Sequence, residues 1–211
     1  MVNLNRKRTS RIIWETLLEN VVSHPKAPWV EQLNMLDALR ATAKSPTGSV
    51  SFATFWCLYA VVQAYKPKRV AEVGTYIGKS TLALVSGGAE VHTCDYSNDV
   101  KLPFKVNQYP MTSSTDMFAK LQPAIDLLFL DGRLEKEDLS HIGRLLHAKS
   151  IVALDDFEGI EKGVANAMKF TYHGAMLVYP PEREVLERHG IPDDSTLALI
   201  LPHGLVQLTN Q

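Results

Sequence analysis

The chain has 211 residues, of which 45% are hydrophobic and 21% charged, a composition typical of a globular protein that folds as one domain. Its 22 basic and 23 acidic side chains nearly cancel, which argues against nucleic acid or another polyanion as a partner. No apolar run reaches the roughly 18 residues of a membrane span, and the N-terminus lacks the apolar core of a signal peptide. Cys57 and Cys94 are expected to be buried thiols, which fits a cytoplasmic protein.

Three helical patterns occupy the first third of the chain, at residues 10–22, 30–44 and 52–65. Each has apolar residues three and four positions apart, and a proline follows shortly after each one. We therefore expect residues 1–66 to form an N-terminal helical cap. Such a cap would serve either as a lid over a site or as the surface of a homodimer.

Short apolar runs alternate with helical stretches after Pro67, which indicates βαβ units and a parallel sheet. Strands are predicted at residues 69–73, 91–94, 125–130 and 150–154. Further strands are predicted at 175–179, 196–201 and 205–208, and these would close the sheet, with one of them allowed to pair antiparallel. The sequence thus predicts an α/β fold with a doubly wound, mostly parallel, Rossmann-like sheet in one compact unit, 67–211. Ligands of such sheets bind at the carboxyl ends of the strands. Those ends carry acids or glycines here, at 72–78, Asp95, Asp131, Asp155 and Asp156.

A glycine loop follows the first predicted strand and reads Gly74-Thr-Tyr-Ile-Gly78-Lys-Ser-Thr. It is not a phosphate loop, because only three residues separate the glycines and Val73 stands where that motif needs glycine. It is not a nicotinamide fingerprint either, since Tyr76 replaces the second glycine. The remaining interpretation is a tight turn at Gly74, a close approach to a ligand at Gly78, and helix-start amides that receive a carboxylate. With Glu72 facing an ammonium or a bound water, the loop would suit a zwitterionic amino-acid tail.

The pattern E-x-G-T-Y-x-G-x-S resembles the first motif of class I S-adenosylmethionine-dependent methyltransferases, and especially of small-molecule O-methyltransferases related to catechol O-methyltransferase. The resemblance extends from about residue 45 to residue 156 and implies S-adenosylmethionine as the cofactor. Asp95, roughly 20 residues beyond Glu72, is placed to accept hydrogen bonds from both ribose hydroxyls. Ser114 matches the segment that flanks adenine in the family, although Ser113 or Ser114 is equally suited to cap a helix. The cofactor-binding residues implied are Glu72, Gly74, Thr75, Tyr76, Gly78, Ser80, Asp95, Ser114 and Asp131.

Three carboxylates, those of Asp131, Asp155 and Asp156, are expected at adjacent strand ends, where they repel one another unless a cation or a proton lies between them. Metal-dependent relatives use acids or an amide at the three matching positions. The sequence therefore predicts a site for Mg²⁺ or Ca²⁺, which bind hard oxygen ligands. The alternative is that these acids orient the substrate or cofactor without a metal.

The relatives carry a Lys or His base three positions beyond the acid that matches Asp131, but this chain has Leu134 there. Asp131 and Lys136 are the remaining catalytic candidates, since Arg133 stays protonated and makes a poor base. The leading prediction is an S-adenosylmethionine-dependent methyltransferase that acts on a small-molecule acceptor, at a hydroxyl oxygen. The alternatives are a non-catalytic S-adenosylmethionine-binding protein and another nucleotide-binding α/β enzyme.

Overall fold

A seven-stranded sheet forms the centre of the computed structural model, which describes residues 2–44, 48–97, 100–170 and 175–202. The strands lie side by side in the order β3-β2-β1-β4-β5-β7-β6. Their bounds are β1 Arg69–Val73, β2 Glu90–Asp95, β3 Asn107–Pro110, β4 Ile125–Leu130, β5 Leu146–Leu154, β6 Met176–Val178 and β7 Ala198–Leu201.

The first five strands are parallel, so their carboxyl ends lie at one edge of the sheet. β7 runs antiparallel to both β5 and β6. It is the antiparallel strand that the sequence analysis allowed among the last strands. The chain winds from β1 to β2 on one side and continues at β4 on the other. The strand order therefore reverses between β1 and β4, and a crevice opens at that point in sheets of this kind.

Eight α-helices lie in the described ranges, together with a short 3₁₀-helix and a π-helix. The α-helices are α1 Val2–Glu19, α2 Ala27–Asp37, α3 Phe52–Tyr65, α4 Lys79–Val85, α5 Ser114–Lys120, α6 Asp138–Leu145, α7 Ala165–Phe170 and α8 Arg183–Arg188. The 3₁₀-helix spans Ala38–Ala41, and the π-helix spans Ile160–Val164 and leads directly into α7. Within the described residues, no helix is long and apolar enough to cross a lipid bilayer.

The N-terminal helices are part of the main core. α3 is apolar on nearly every side, and its Trp56 belongs to the same buried cluster as Phe129 of β4 and Trp14 of α1. Trp14 also donates its indole N–H to the carbonyl oxygen of Tyr179, at 2.7 Å. Burial of tryptophans of this kind stabilises a fold by about 3–5 kcal/mol each. These contacts tie residues 1–66 closely to the sheet, and the predicted boundary at residue 67 stays a prediction.

Most predicted elements are confirmed, with three exceptions. The pattern at 30–44 is wrong in its second half, where α2 ends at Asp37 and the chain tightens into Ala38–Ala41. β3 was missed because it is a short, mostly polar edge strand that ends in proline, features that hide a strand from pattern analysis. The predicted strand at 205–208 lies outside the described residues.

Candidate functional site

A cavity of about 500 Å³ opens at the carboxyl edge of the sheet, across the ends of β1, β2 and β4. It is lined by Gly48, Val73, Gly74, Tyr76, Cys94, Asp95, Tyr96, Ser97, Thr112, Ser113, Ser114, Asp131, Gly132, Arg133, Glu135 and Lys162. The volume is within the range of roughly 300–1,000 Å³ that small-molecule and cofactor sites occupy. The sequence predicted this location, because five of the nine proposed cofactor-binding residues line the cavity: Gly74, Tyr76, Asp95, Ser114 and Asp131.

The turn at Gly74 depends on glycine. Its φ of +103° lies in the left-handed region, and a Cβ there would come within 3.2 Å of the Asp131 Cβ. The Gly74 N–H donates to the carbonyl of Cys94 at 2.9 Å, and Tyr76, with φ of +44°, donates its N–H to Asp95 Oδ2 at 2.7 Å. Both hydrogen bonds fasten the loop to the carboxyl end of β2, and the loop keeps a strained residue, Tyr76, at the cavity wall.

Gly78 serves packing instead of a ligand. It has φ of +84° at the start of α4, and a Cβ at this position would collide with the side chain of Leu102. Gly78 is not among the residues that line the cavity. Leu102 occupies the space beside Gly78, and the contact of Gly78 with a ligand stays a prediction.

Glu72 lies beneath the loop, fully buried and away from the cavity. Ser80 and Thr81 donate their hydroxyls to its two carboxylate oxygens, both at 2.6 Å. Thr75, also buried, bonds Thr93 at 2.5 Å and likewise faces away from the cavity. In this structure the oxygens of Glu72 hold the start of α4 against β1 through Ser80 and Thr81, and the contact of Glu72 with a ligand ammonium stays a prediction.

Burial raises the pKa of Glu72 to about 7. The hydroxyls that donate hydrogen bonds to Glu72 oppose this rise, and the charge of Asp95 adds to it. An acid whose pKa is higher in the folded state makes the protein less stable as the pH rises from the unfolded value, near 4.5, through 7. Glu72→Gln mimics the protonated form. We therefore expect the free energy of unfolding of this variant to fall by about 3 kcal/mol less than that of the wild-type protein as the pH rises from 4.5 to 8. Urea unfolding of both proteins between pH 4.5 and 8 measures this, and parallel curves would contradict it.

Asp95 and Tyr96 stand together at the end of β2. Asp95 Oδ1 accepts the N–H of Ser97 at 2.9 Å, so the carboxylate is fixed from two sides and is 9% exposed. The ring of Tyr96 is 79% exposed and lines the cavity, which makes it a flat apolar surface beside the acid. Sequence analysis missed Tyr96, although an aromatic residue directly after the acid predicted to bind the ribose was a usable signal.

Ser113, and not Ser114, caps α5. The Ser113 side chain accepts the N–H of Asp116 at 3.1 Å, which settles the alternative left open by the sequence. Ser114 lines the cavity and donates its hydroxyl to Asp138 Oδ2 at 2.7 Å. Asp138, fully buried at the start of α6, also accepts from Thr115 Oγ1 at 2.6 Å. This buried acid, which the sequence analysis did not select, holds the α5 side of the cavity in place.

The lysine of the GKST segment is engaged in an ion pair that points away from any phosphate site. Lys79 Nζ lies 2.7 Å from Asp37 Oδ2, and Asp37 Oδ1 accepts from Arg40 Nε at 2.9 Å. Arg40 in turn lies over the ring of Tyr76, 5.5 Å from its centre. The N-terminal segment thus covers the outside of the loop through charge and aromatic contacts.

The three predicted metal ligands do not form a metal site. Asp155 is buried and accepts from Thr196 Oγ1 at 2.7 Å, whereas Asp131 and Asp156 both accept from the ammonium of Lys162. In the described ranges, no three or more His, Cys, Asp or Glu side chains are grouped to hold a metal ion. The described residues therefore do not bring the three predicted Mg²⁺ or Ca²⁺ ligands together, and a lysine side chain supplies the cation between Asp131 and Asp156.

The pKa values of Asp131 and Lys162 are both shifted upward. Burial and the neighbouring Asp155 carboxylate raise the pKa of Asp131 well above its usual value, against the opposing effect of Lys162. Burial lowers the pKa of Lys162, but the carboxylates of Asp131 and Asp156 raise it more, and the net shift is upward. Burial is thus the main cause of the upward shift in the pKa of Asp131, whereas the neighbouring carboxylates cause the upward shift in the pKa of Lys162.

Leu134 and Lys136 lie outside the reacting region. Leu134 is 5% exposed and packs in the core with Ile142 and Leu154, so the family's base position is apolar here. Lys136 is exposed and lines neither the main cavity nor the one beside it. The structure does not place Lys136 where a catalytic group is needed, whereas Lys162 occupies that region from a segment far along the chain.

A second cavity, of about 390 Å³, adjoins the first. It is lined by Arg133, Asp156, Glu158, Gly159, Ile160, Glu161, Lys162 and Thr196. Arg133 and Lys162 line both cavities, and Arg133 also pairs with Glu161 at 2.6 Å. The two spaces therefore meet at these two cations.

No protein-family model matches this sequence, and no curated protein matches it. Solved structures do resemble it. The SAH-bound methyltransferase PaMTH1 of Podospora anserina is 18% identical, with a TM-score of 0.54, 84% of this chain covered and 88% of that one. A methyltransferase from Geobacter sulfurreducens is 15% identical, with a TM-score of 0.56 and coverages of 85% and 91%. An O-methyltransferase from Bacillus cereus in complex with SAH is 17% identical, with a TM-score of 0.53 and coverages of 90% and 98%.

This chain has the methyltransferase fold. The predicted Rossmann-like architecture is thereby confirmed. Within the methyltransferase fold of this chain, the main cavity lies at the reversal of strand order between β1 and β4, where ligands of such sheets bind. At sequence identities below 20%, these three structures support the fold alone. The chemistry depends on the residues of this site.

Proposed function

We propose that the protein is an S-adenosylmethionine-dependent methyltransferase that acts on a hydroxyl oxygen of a small molecule. The observation that carries this proposal is the pair of adjoining cavities in a methyltransferase fold. The larger one combines the Gly74 turn with Asp95 and Tyr96, and the smaller one meets it at Lys162. Two reactants that must touch at one point need two such spaces with a common boundary.

The larger cavity suits the cofactor. Asp95 is fixed with its carboxylate at the cavity wall and would accept from the ribose hydroxyls, while the exposed ring of Tyr96 would lie against adenine. Gly74 lines this cavity, and its turn packs closely against Asp131, so the loop backbone itself forms part of the wall that a cofactor would contact. When bound, S-adenosylmethionine supplies a methyl group on a sulfonium sulfur.

The smaller cavity would receive the acceptor. Its ionisable side chains are Asp156, Glu158 and Glu161 against Arg133 and Lys162, a balance that suits a polar molecule better than an apolar one. Asp131 lies on the cofactor side of the boundary, and its raised pKa makes its carboxylate a stronger base than an ordinary aspartate. We assign Asp131 the role of taking the hydroxyl proton of the acceptor.

A thermal-shift comparison of S-adenosylmethionine, S-adenosylhomocysteine, ATP and NAD tests the cofactor assignment. Only a ligand that binds the folded state raises the melting temperature, by an amount that grows with its concentration relative to Kd. We expect stabilisation by the first two ligands and none by ATP or NAD. Stabilisation by NAD or ATP alone would replace this proposal with the other nucleotide-binding α/β enzyme.

Asp95→Ala is expected to weaken S-adenosylmethionine binding by about 1–3 kcal/mol, the cost of losing a charged hydrogen-bonding group. Isothermal titration calorimetry on the folded variant gives the value directly. The matched control is Asp193→Ala, an exposed aspartate that lines neither cavity and whose loss should leave Kd unchanged. Equal affinities of Asp95→Ala and the parent protein would remove Asp95 from the ribose site.

A second candidate is a protein that binds S-adenosylmethionine without transferring its methyl group. The apolar packing of Leu134 at the family's base position favours it. A screen of hydroxylated small molecules with methyl-labelled S-adenosylmethionine separates the two candidates. Label in any product supports the enzyme, whereas binding of the cofactor with no product from the whole panel supports the second candidate. A homodimer and a cytoplasmic location stay predictions.

A further inference from the structure

Lys162 occupies the place where the sequence predicts a metal ion. Its ammonium donates to Asp131 and to Asp156 Oδ2, the latter at 2.6 Å, and its side chain is only 25% exposed. In the described part of the chain these two carboxylates are its hydrogen-bond partners. An ammonium has three N–H donors, so one donor is left for a ligand.

The backbone holds Lys162 at this point. The chain turns sharply after β5, where Asp156 has φ of +52° and its carbonyl accepts the N–H of Gly159 at 2.8 Å. The π-helix Ile160–Val164 follows, and Gly163 lies directly against the turn, where a Cβ would come within 2.6 Å of the Asp156 carbonyl oxygen. A π-helix is a rare element that is often found at functional sites. This packing directs Lys162 back towards the strand ends.

Lys162 also lies at the boundary between the two cavities, lining both. An acceptor in the smaller cavity would therefore meet a positive charge at the point nearest the cofactor. A fixed cation placed where negative charge develops lowers the barrier of a reaction, especially in a site that excludes water.

We propose that Lys162 is the permanent cation of this site and holds the reacting oxygen of the acceptor, so that methyl transfer needs no divalent metal. The inference rests on the proposed function for its chemistry, but its charge arrangement can be tested without any substrate. In the transfer, the methyl–sulfur bond of the sulfonium breaks as the methyl–oxygen bond forms. The hydroxyl proton passes to Asp131 and then to water, and the ammonium keeps its three protons throughout.

The first experiment titrates Mn²⁺ into the protein alone and follows free Mn²⁺ by electron paramagnetic resonance. We expect no specific binding to the wild-type protein, because Lys162 already compensates Asp131 and Asp156. Lys162→Met keeps the length of the side chain but removes its charge, so Mn²⁺ affinity should rise at least about tenfold, the factor for one displaced unit charge at a partly exposed site. Lys162→Met with Asp156→Asn should lose that gain.

Two results overturn the proposal: Mn²⁺ binding to the wild-type protein that Asp131→Asn abolishes, or a folded Lys162→Met protein with no gain in Mn²⁺ affinity. If Lys162→Met does not fold, the wild-type titration with Asp131→Asn still decides the question. These measurements do not involve S-adenosylmethionine. A protein that fails to bind the cofactor would end the proposed function while the Mn²⁺ result still reports on Lys162.

The second experiment measures methyl transfer with an acceptor from the labelled screen, in excess EDTA and in Mg²⁺. We expect equal rates in both, a fall in kcat of about 100-fold for Lys162→Met, and partial recovery for Lys162→Arg, which keeps a cation. Lys149→Met, at an exposed lysine outside both cavities, is the matched control and should transfer methyl at the wild-type rate. Transfer that stops in EDTA and returns with Mg²⁺ would overturn the proposal.

Discussion

Gly163→Ala is expected to slow methyl transfer by about 100-fold while leaving a folded protein. A Cβ at position 163 would lie 2.6 Å from the Asp156 carbonyl oxygen, 2.6 Å from the Phe157 Cα and 2.7 Å from the Asp155 carbonyl oxygen. All three atoms are backbone, so no side chain can turn aside to make room. The π-helix must move away from the end of β5, and Lys162 moves with it.

The size of the effect follows from the tolerance of such sites to displacement. A shift of about 1 Å in a positioning group is enough to reduce a rate by about 100-fold. Forcing one methyl group into a packed region destabilises a protein by about 1–3 kcal/mol, which a fold of this size withstands. We therefore expect rate and stability to separate, with most of the loss in kcat.

Gly143→Ala is the matched control for this substitution. Gly143 lies in α6, and a Cβ there meets nothing within 4 Å. Alanine favours a helix over glycine by up to about 1 kcal/mol, so this variant should be slightly more stable and fully active. Steady-state kinetics and urea unfolding of both variants provide the comparison. A Gly163→Ala protein with wild-type kinetics would show that the position of Lys162 does not matter to the reaction.

The sheet could be predicted from the sequence because its strands are buried on both faces. β1 and β4 are mostly apolar and mostly buried, and the acids Asp95 and Asp131 at the strand ends mark the edge where the site lies. The turn at Gly74 was also predictable, since its positive φ leaves few alternatives to glycine. Local constraints of this kind restrict the residue type at a position, so they can be recognised in the sequence.

The role of Lys162 could not be recognised from the sequence in this way. It lies 31 residues beyond Asp131, in a segment with no recognisable motif, and it reaches the site only because Gly163 packs against the turn after β5. The resemblance to metal-dependent enzymes drew attention to Asp131, Asp155 and Asp156, but it did not predict the ammonium that lies between Asp131 and Asp156. In the same way, Glu72 matched a family motif in sequence, while its environment of hydroxyl groups shows a buried structural role.

Asp138→Ala is expected to reduce the free energy of unfolding by about 3 kcal/mol and to weaken cofactor binding. Asp138 Oδ2 accepts from Ser114 Oγ at 2.7 Å and from the N–H of Glu135 at 2.8 Å, and Oδ1 accepts from Thr115 Oγ1 at 2.6 Å. The two hydroxyls can turn to other partners, but the Glu135 N–H cannot. The Glu135 N–H is a part-buried donor, and a buried donor without an acceptor costs about 1–3 kcal/mol, so its loss contributes towards the lower end of that range. The loss of the acid from the first turn of α6 and of the two hydroxyl contacts adds to that cost.

The functional part of this prediction follows from geometry. Ser114 and Glu135 both line the larger cavity, from α5 and from the loop before α6, and Asp138 is the acceptor that joins them. Asp138→Asn keeps the shape and one acceptor oxygen, so it should lose about half as much stability as alanine. Asp116→Ala removes an exposed acid from the first turn of the neighbouring helix α5 and should cost no more than about 1 kcal/mol. If cofactor affinity is unchanged in Asp138→Ala while stability falls, the α5 side of the cavity does not contact the cofactor, and the ribose and methionine ends carry the binding.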